Sequence, residues 1–154
     1  MPLQDLQFSG ARVRSLVNQN FAPSTTLALT YDTVDYDTDG YFNNLQPDRL
    51  TVPVPGVYGF GAEVRWAGVS SGGRIASIID VSNNRTHVEQ WQLSNNQAAL
   101  YHNLYTEQWL EAGAPLKVHL FQSSSATLNT FAVVHHAPAF FIRLLGVAAI
   151  GYRK

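Results

Sequence analysis

Polar and apolar residues alternate along most of this chain, and no segment repeats its apolar positions at helical spacing. The clearest case is RLTVPVPGVYGFGAEVRW, residues 49–66. Leu50 and Val52 alternate with Arg49 and Thr51, as in a half-buried strand. Pro53 and Pro55 remove two backbone donors, so no central strand runs through them. After Gly56, residues Tyr58, Phe60, Ala62, Val64 and Trp66 fall on one face, and Val57, Gly59, Gly61, Glu63 and Arg65 on the other. The same reading along the chain predicts ten strands, at residues 11–18, 25–30, 41–44, 49–52, 57–66, 74–81, 86–93, 100–110, 116–122 and 139–145. Small or polar clusters at residues 70–73, 82–84, 94–96 and 123–125 supply the turns. Many short strands and no helix predict an all-β sandwich or barrel.

Two strands carry further information. The glycines opposite the aromatic face of residues 57–66 invite another backbone to approach closely. Val57, Gly59 and Gly61 are therefore the candidate contact residues toward a neighbouring subunit, while Tyr58, Phe60 and Val64 fill the core. Residues 100–110 have no cleanly polar face: Leu100, His102, Leu104, Thr106, Gln108 and Leu110 alternate with Tyr101, Asn103, Tyr105, Glu107 and Trp109. A strand packed on its own core on one side and on another subunit on the other has this pattern.

The chain has 154 residues, which suits one domain with a core that needs no disulfide or metal. Charged residues make up only 14%, and amide and hydroxyl side chains take their place. Such a surface suits protein contacts or hydrogen-bonded ligands. A net charge of −1 provides no basic field, so nucleic acid is not an expected partner. The absence of cysteine excludes disulfides, thiolate nucleophiles and zinc–cysteine sites. MPLQDLQFSG has no basic start and no apolar run, so it does not read as a signal peptide. The apolar stretch 137–150 is broken by Pro138, Arg143 and Gly146, so membrane insertion is not expected.

PVPGVYGF resembles the central signature of the complement-1q/TNF-like jelly-roll superfamily, in which a glycine precedes alternating aromatics on a long inner strand. GARVRSLVNQNF (residues 10–21) resembles the first strand of its bacterial and bacteriophage members, and LTYDTVDYDTDG (29–40) their Asp-rich segment. WLEAGAPLKVHLFQ (109–122) resembles the late strand pair hinged on glycine, and AFFIRLLG (139–146) the closing strand. The resemblance implies a ten-stranded jelly-roll sandwich over residues 10–146, with an N-terminal extension at 1–9 and a C-terminal tail at 147–154. It implies a tight homotrimer that works by recognition or assembly and is not an enzyme. Its phage-like character implies a structural or adhesive protein of a tailed bacteriophage, at the virion surface as a capsid decoration or fibre tip. Its partners would be other virion proteins or a host receptor or glycan. A free, extracellular receptor- or glycan-binding module is the alternative.

Residues 35–40, DYDTDG, match the first half of an EF-hand calcium loop, and calcium prefers such hard oxygen ligands. The twelfth position is Gln46, which cannot supply the bidentate carboxylate, and the flanks are strand-like. Asp35, Asp37 and Asp39 are thus a weak metal candidate, and the plainer expectation is an Asp–Gly turn in which Gly40 takes a positive φ. No cofactor is expected. His87, His102 and His119 lie on separate strands without an acidic partner at motif spacing, and His135 and His136 point to opposite faces of an extended segment. No nucleophile elbow, phosphate loop, HExxH or dinucleotide fingerprint occurs. Asn84-Arg85-Thr86 fits a glycosylation sequon but reads as a turn entering a strand. Tyr31, Tyr36, Tyr41, Trp91, Tyr101 and Trp109 sit near strand ends as candidate exposed aromatics for protein or sugar recognition. The apolar residues of the two ends, Leu3, Leu6 and Phe8 at one and Val147, Ile150 and Tyr152 at the other, suggest docking on a partner.

Overall fold

The structure is a computed structural model that describes residues 7–67, 70–94, 100–133 and 135–147. Among these, the backbone forms β1 (Gly10–Arg14), β2 (Asn20–Phe21), β3 (Thr25–Ala28), β4 (Thr33–Asp37), β5 (Leu50–Thr51), β6 (Gly56–Ala67), β7 (Gly72–Asp80), β8 (Arg85–Ser94), β9 (Tyr101–Leu110), β10 (Pro115–Gln122), β11 (Leu128–Thr130) and β12 (Ala139–Gly146). The front sheet runs β2-β11-β6-β12-β1-β4, with β9 on the free side of β6. The back sheet runs β3-β10-β7-β8, with β5 also pairing with β10. Every pairing is antiparallel.

The core lies where period-2 alternation placed it. Tyr58, Phe60, Ala62, Val64 and Trp66 of β6 are buried between the sheets. They pack in one cluster with Ala11 and Val13 of β1, Phe140 and Ile142 of β12, Ala76 and Ile78 of β7, and Leu116, Val118 and Leu120 of β10. Full burial of each large apolar side chain contributes roughly 1.5–3 kcal/mol. Phe21 meets Trp66 edge-on at 5.5 Å, and Tyr41 meets Tyr58 at 6.3 Å. The mixed strand at 101–110 also resolves. His102 and Leu104 face the core, while Tyr101, Asn103, Tyr105, Glu107 and Trp109 face outward.

Twelve strands, not ten, make up the described fold. The expected strand at 41–44 is absent as a ladder, apart from one bridge between Phe42 and Leu50. The reason is local. The Asp37 carboxylate accepts the backbone N–H groups of Gly40, Tyr41 and Phe42 at 2.9, 3.0 and 2.9 Å, so those donors serve a side chain rather than a sheet. Conversely, residues 33–37, read as part of an Asp-rich turn, form edge strand β4. Asp35 there is held by Arg14 across the β1–β4 pair, with Nη2 to Oδ1 at 2.7 Å, and by Arg12 at 3.4 Å. Cross-strand ion pairs offset the poor strand propensity of aspartate. Strands β2 and β11 are too short for a periodicity to show. The first strand ends at Arg14 rather than at residue 18, and Gly40 has φ 76°.

The glycines of β6 are required by close approach. A Cβ on Gly61 would lie 2.2 Å from the Leu104 carbonyl oxygen and 2.6 Å from Phe141 Cζ. A Cβ on Gly59 would lie 2.6 Å from the Tyr105 hydroxyl, the far end of a side chain able to swing aside. Gly61→Ala is therefore expected to lower stability by about 1–3 kcal/mol and Gly59→Ala by less. Urea denaturation of both variants checks this; equal midpoints for Gly61→Ala and wild type would overturn it.

Candidate functional site

The outer face of the front sheet gathers several exposed large apolar side chains. Val57, Tyr101, Tyr105, Trp109 and Leu145 stand there, each 37–48% exposed. Gly59 and Gly61 leave the backbone low enough for the Tyr105 and Phe141 rings to lie over it, stacked at 6.4 Å with 21° between their planes. The Arg12 guanidinium sits 5.9 Å from the Phe141 ring centre. Tyr105 donates its hydroxyl to Glu107 at 2.9 Å, and Trp109 Nε1 donates to Glu111 at 2.7 Å, which fixes both rings. The three residues singled out from sequence, Val57, Gly59 and Gly61, thus share this face, and rings of the same chain cover the two glycines.

At the far end of β6 the face becomes cationic. The Arg65 guanidinium lies between Tyr101, at 5.0 Å, and Phe131, at 4.5 Å. His136 stands 6.3 Å from each of those rings. A small cavity of about 100 Å³ opens here, lined by Glu63, Arg65, Tyr101, Asn103, His135 and His136. A larger cleft of about 440 Å³ lies at the β8–β9 edge, with Asp80, Arg85, His87, Trp109 and Glu111 in its wall. The alternation of β6 did not single out Arg65, because its partners Tyr101 and Phe131 come from distant parts of the chain.

The aspartates do not converge. Asp35 pairs with Arg12 and Arg14, Asp37 caps its own turn, and Asp39 accepts from Ser9 Oγ at 2.6 Å and Thr38 Oγ1 at 2.7 Å. Among the described residues no group of three or more His, Cys, Asp or Glu side chains comes together. Of the aromatics expected at the surface, Tyr36, Trp91, Tyr101 and Trp109 are exposed, whereas Tyr31 and Tyr41 are buried core residues. Their strand-end positions did not reveal that the sandwich closes over them. Phe8 lies against Tyr36 at 5.5 Å, whereas Leu3, Leu6, Ile150 and Tyr152 fall outside the described residues.

Two unexpected polar groups lie inside the sandwich near one end. Arg74 is 1% exposed, over the Trp66 ring at 5.8 Å, with Nη1 donating to the Gly72 carbonyl at 3.1 Å. His102 is fully buried, and neither ring nitrogen has a partner among the described residues. Burial, aided by the Arg74 charge, pushes its pKa from 6.5 down to about 4. Burial lowers the His87 and His119 values too.

This is the jelly-roll fold of the TNF-like and complement-1q-like domains. Murine APRIL is similar with a TM-score of 0.67 and 13% identity, over 90% of this chain and 100% of that one. The Eiger TNF of S. frugiperda is similar with a TM-score of 0.65 and 9% identity, over 96% and 98%. The globular domain of zebrafish complement 1qA is similar with a TM-score of 0.62 and 14% identity, over 90% and 98%. At such identities the likeness is one of fold. No family model matches the sequence, and no curated protein does.

Two outcomes follow from these side chains. The unfolded chain protonates its histidines near pH 6.5, while folded His102 resists until about pH 4. Stability is therefore full above pH 6.5 and falls as pH drops toward 4, by on the order of 3 kcal/mol for His102. Thermal melts across that range check this, and His102→Leu should flatten the slope; an unchanged slope would count against it. Separately, Asp37→Asn weakens three backbone acceptor bonds and should cost about 1–3 kcal/mol. Millimolar calcium should leave the wild-type melting temperature unchanged; a clear rise that Asp37→Asn abolishes would instead make the aspartates a calcium site.

Proposed function

We propose that this chain is a non-enzymatic recognition and assembly module that works as a homotrimer, with the outer face of the front sheet as its subunit contact. The observation that carries this reading is the row of exposed Val57, Tyr101, Tyr105, Trp109 and Leu145 on one sheet face. Large exposed apolar groups gathered on one face mark an interaction surface, and Tyr and Trp are favoured at interface centres. Tyr105 and Phe141, raised over Gly59 and Gly61, would touch the neighbour, and Val57 would close the rim. The β6 glycines keep that layer low, which lets a second sandwich approach.

The place of work is the finer part of the proposal. The resemblance of residues 10–21 and 29–40 to bacteriophage members supports a structural or adhesive role at a virion surface. The exposed rings and amide-rich surface equally suit a free receptor- or glycan-binding module. Co-sedimentation with particles from the native source separates the two.

Sedimentation velocity tests the assembly. The wild type should run as a trimer at micromolar concentration, and Tyr105→Glu, which sets a second charge beside Glu107, should shift it toward monomer with its melting temperature largely kept. A wild-type monomer at that concentration would sink the proposal.

A further inference from the structure

Arg65 is a cation whose surroundings are incomplete among the described residues. Its guanidinium carbon lies over the Tyr101 and Phe131 rings, 5.0 and 4.5 Å from their centres. Its Nε is buried and has no partner among the described residues. No ion pair or hydrogen bond of its side chain occurs among them either. The one carboxylate in the cavity wall, Glu63, is taken by Arg12 at 3.3 Å.

We propose that this cavity binds a carboxylate-bearing sugar, with Arg65 as the carboxylate receptor. A guanidinium carries its N–H donors in a rigid fork that matches a carboxylate, and two aromatic rings hold this one in place. The cavity of about 100 Å³ holds the carboxylate end of a ligand rather than a whole ring. The rest of the ligand lies over the exposed Tyr101 ring, whose face suits the C–H groups of a sugar. The Asn103 amide and the imidazoles of His135 and His136 line the same cavity and are polar partners for hydroxyls. Sugar is favoured over a purely apolar acid because Val64 and Ala137 are the only lining residues without a side-chain polar group among the described residues.

Arg65, the carboxylate receptor, stands apart from the subunit contact, whereas Tyr101 lies at the edge of both. Arg65 and Val57 are at opposite ends of β6, roughly 25 Å apart by strand rise. The inference therefore does not depend on the trimer: a monomer that binds the sugar leaves it intact, and a trimer that does not bind overturns it alone.

Amide chemical-shift titration of the full chain with D-glucuronate and with D-glucose tests it, since the two sugars differ at the carboxylate. The expected result is saturable binding of glucuronate with a Kd on the order of 1 mM, with shifts at Arg65, Tyr101 and Asn103. Glucose should bind at least about tenfold more weakly. Arg65→Met keeps the stacked stem but loses the charge, and should weaken glucuronate by at least about tenfold. If that variant does not fold, Asn103→Ala should weaken binding severalfold while keeping the preference over glucose. Equal binding of the two sugars overturns the proposal, as do undiminished binding by Arg65→Met and an absence of saturable shifts well above millimolar glucuronate. If wild type binds no glucuronate and Arg65→Met alters the oligomer, a neighbouring subunit supplies the carboxylate and the sugar site is refuted.

Discussion

Strand β6 is the element on which everything else depends, because both of its faces are covered and its two edges are paired. Inward, it sends Tyr58, Phe60, Val64 and Trp66 into the core. Outward, Gly59 and Gly61 leave room for Tyr105 from β9 and Phe141 from β12, the two strands that flank it. One twelve-residue strand thus links the hydrophobic core to the outer aromatic layer. A bulky residue at Gly61 would meet the Leu104 carbonyl, part of the neighbouring backbone, which has nowhere to go.

The two ends of the sandwich are built from different chemistry. At one end, Asp37, Asp39, Ser9 and Tyr41 tie the chain's entry to the turn before β5 through short side-chain bonds. At the other, a buried arginine and a neutral histidine replace apolar filling. Burying Arg74 without a carboxylate costs stability, and three backbone carbonyls offset part of that cost. The arrangement leaves the fold sensitive to acid between pH 6.5 and about 4.

In the proposed function, the outer face couples these structural needs to recognition. The rings that fill space above the β6 glycines are also the rings exposed for contact. Arg65 extends that face into a site of different character, where cation–π contacts replace ion pairing. Charge is scarce on this chain, and the Glu63 carboxylate near Arg65 is paired with Arg12. The proposed assembly contact and the proposed ligand site would meet on this sheet at Tyr101.

The sequence by itself determined that the protein is all-β, where the core of β6 lies and which residues share its faces, because a two-residue period encodes burial directly. It also located the exposed Tyr101 and Trp109 and the Asp–Gly turn. It misplaced a strand at 41–44, since nothing local tells that Asp37 will capture those backbone donors, and it missed β4, whose aspartates are tolerated only through Arg12 and Arg14 on the adjoining strand. Tyr31 and Tyr41 read as surface residues because their burial depends on how the sandwich closes. The tertiary structure alone decided which rings cover Gly59 and Gly61, and it alone brought Tyr101 and Phe131 onto Arg65. Those contacts join residues 30 or more positions apart, and no periodicity along one strand records a partner contributed by another.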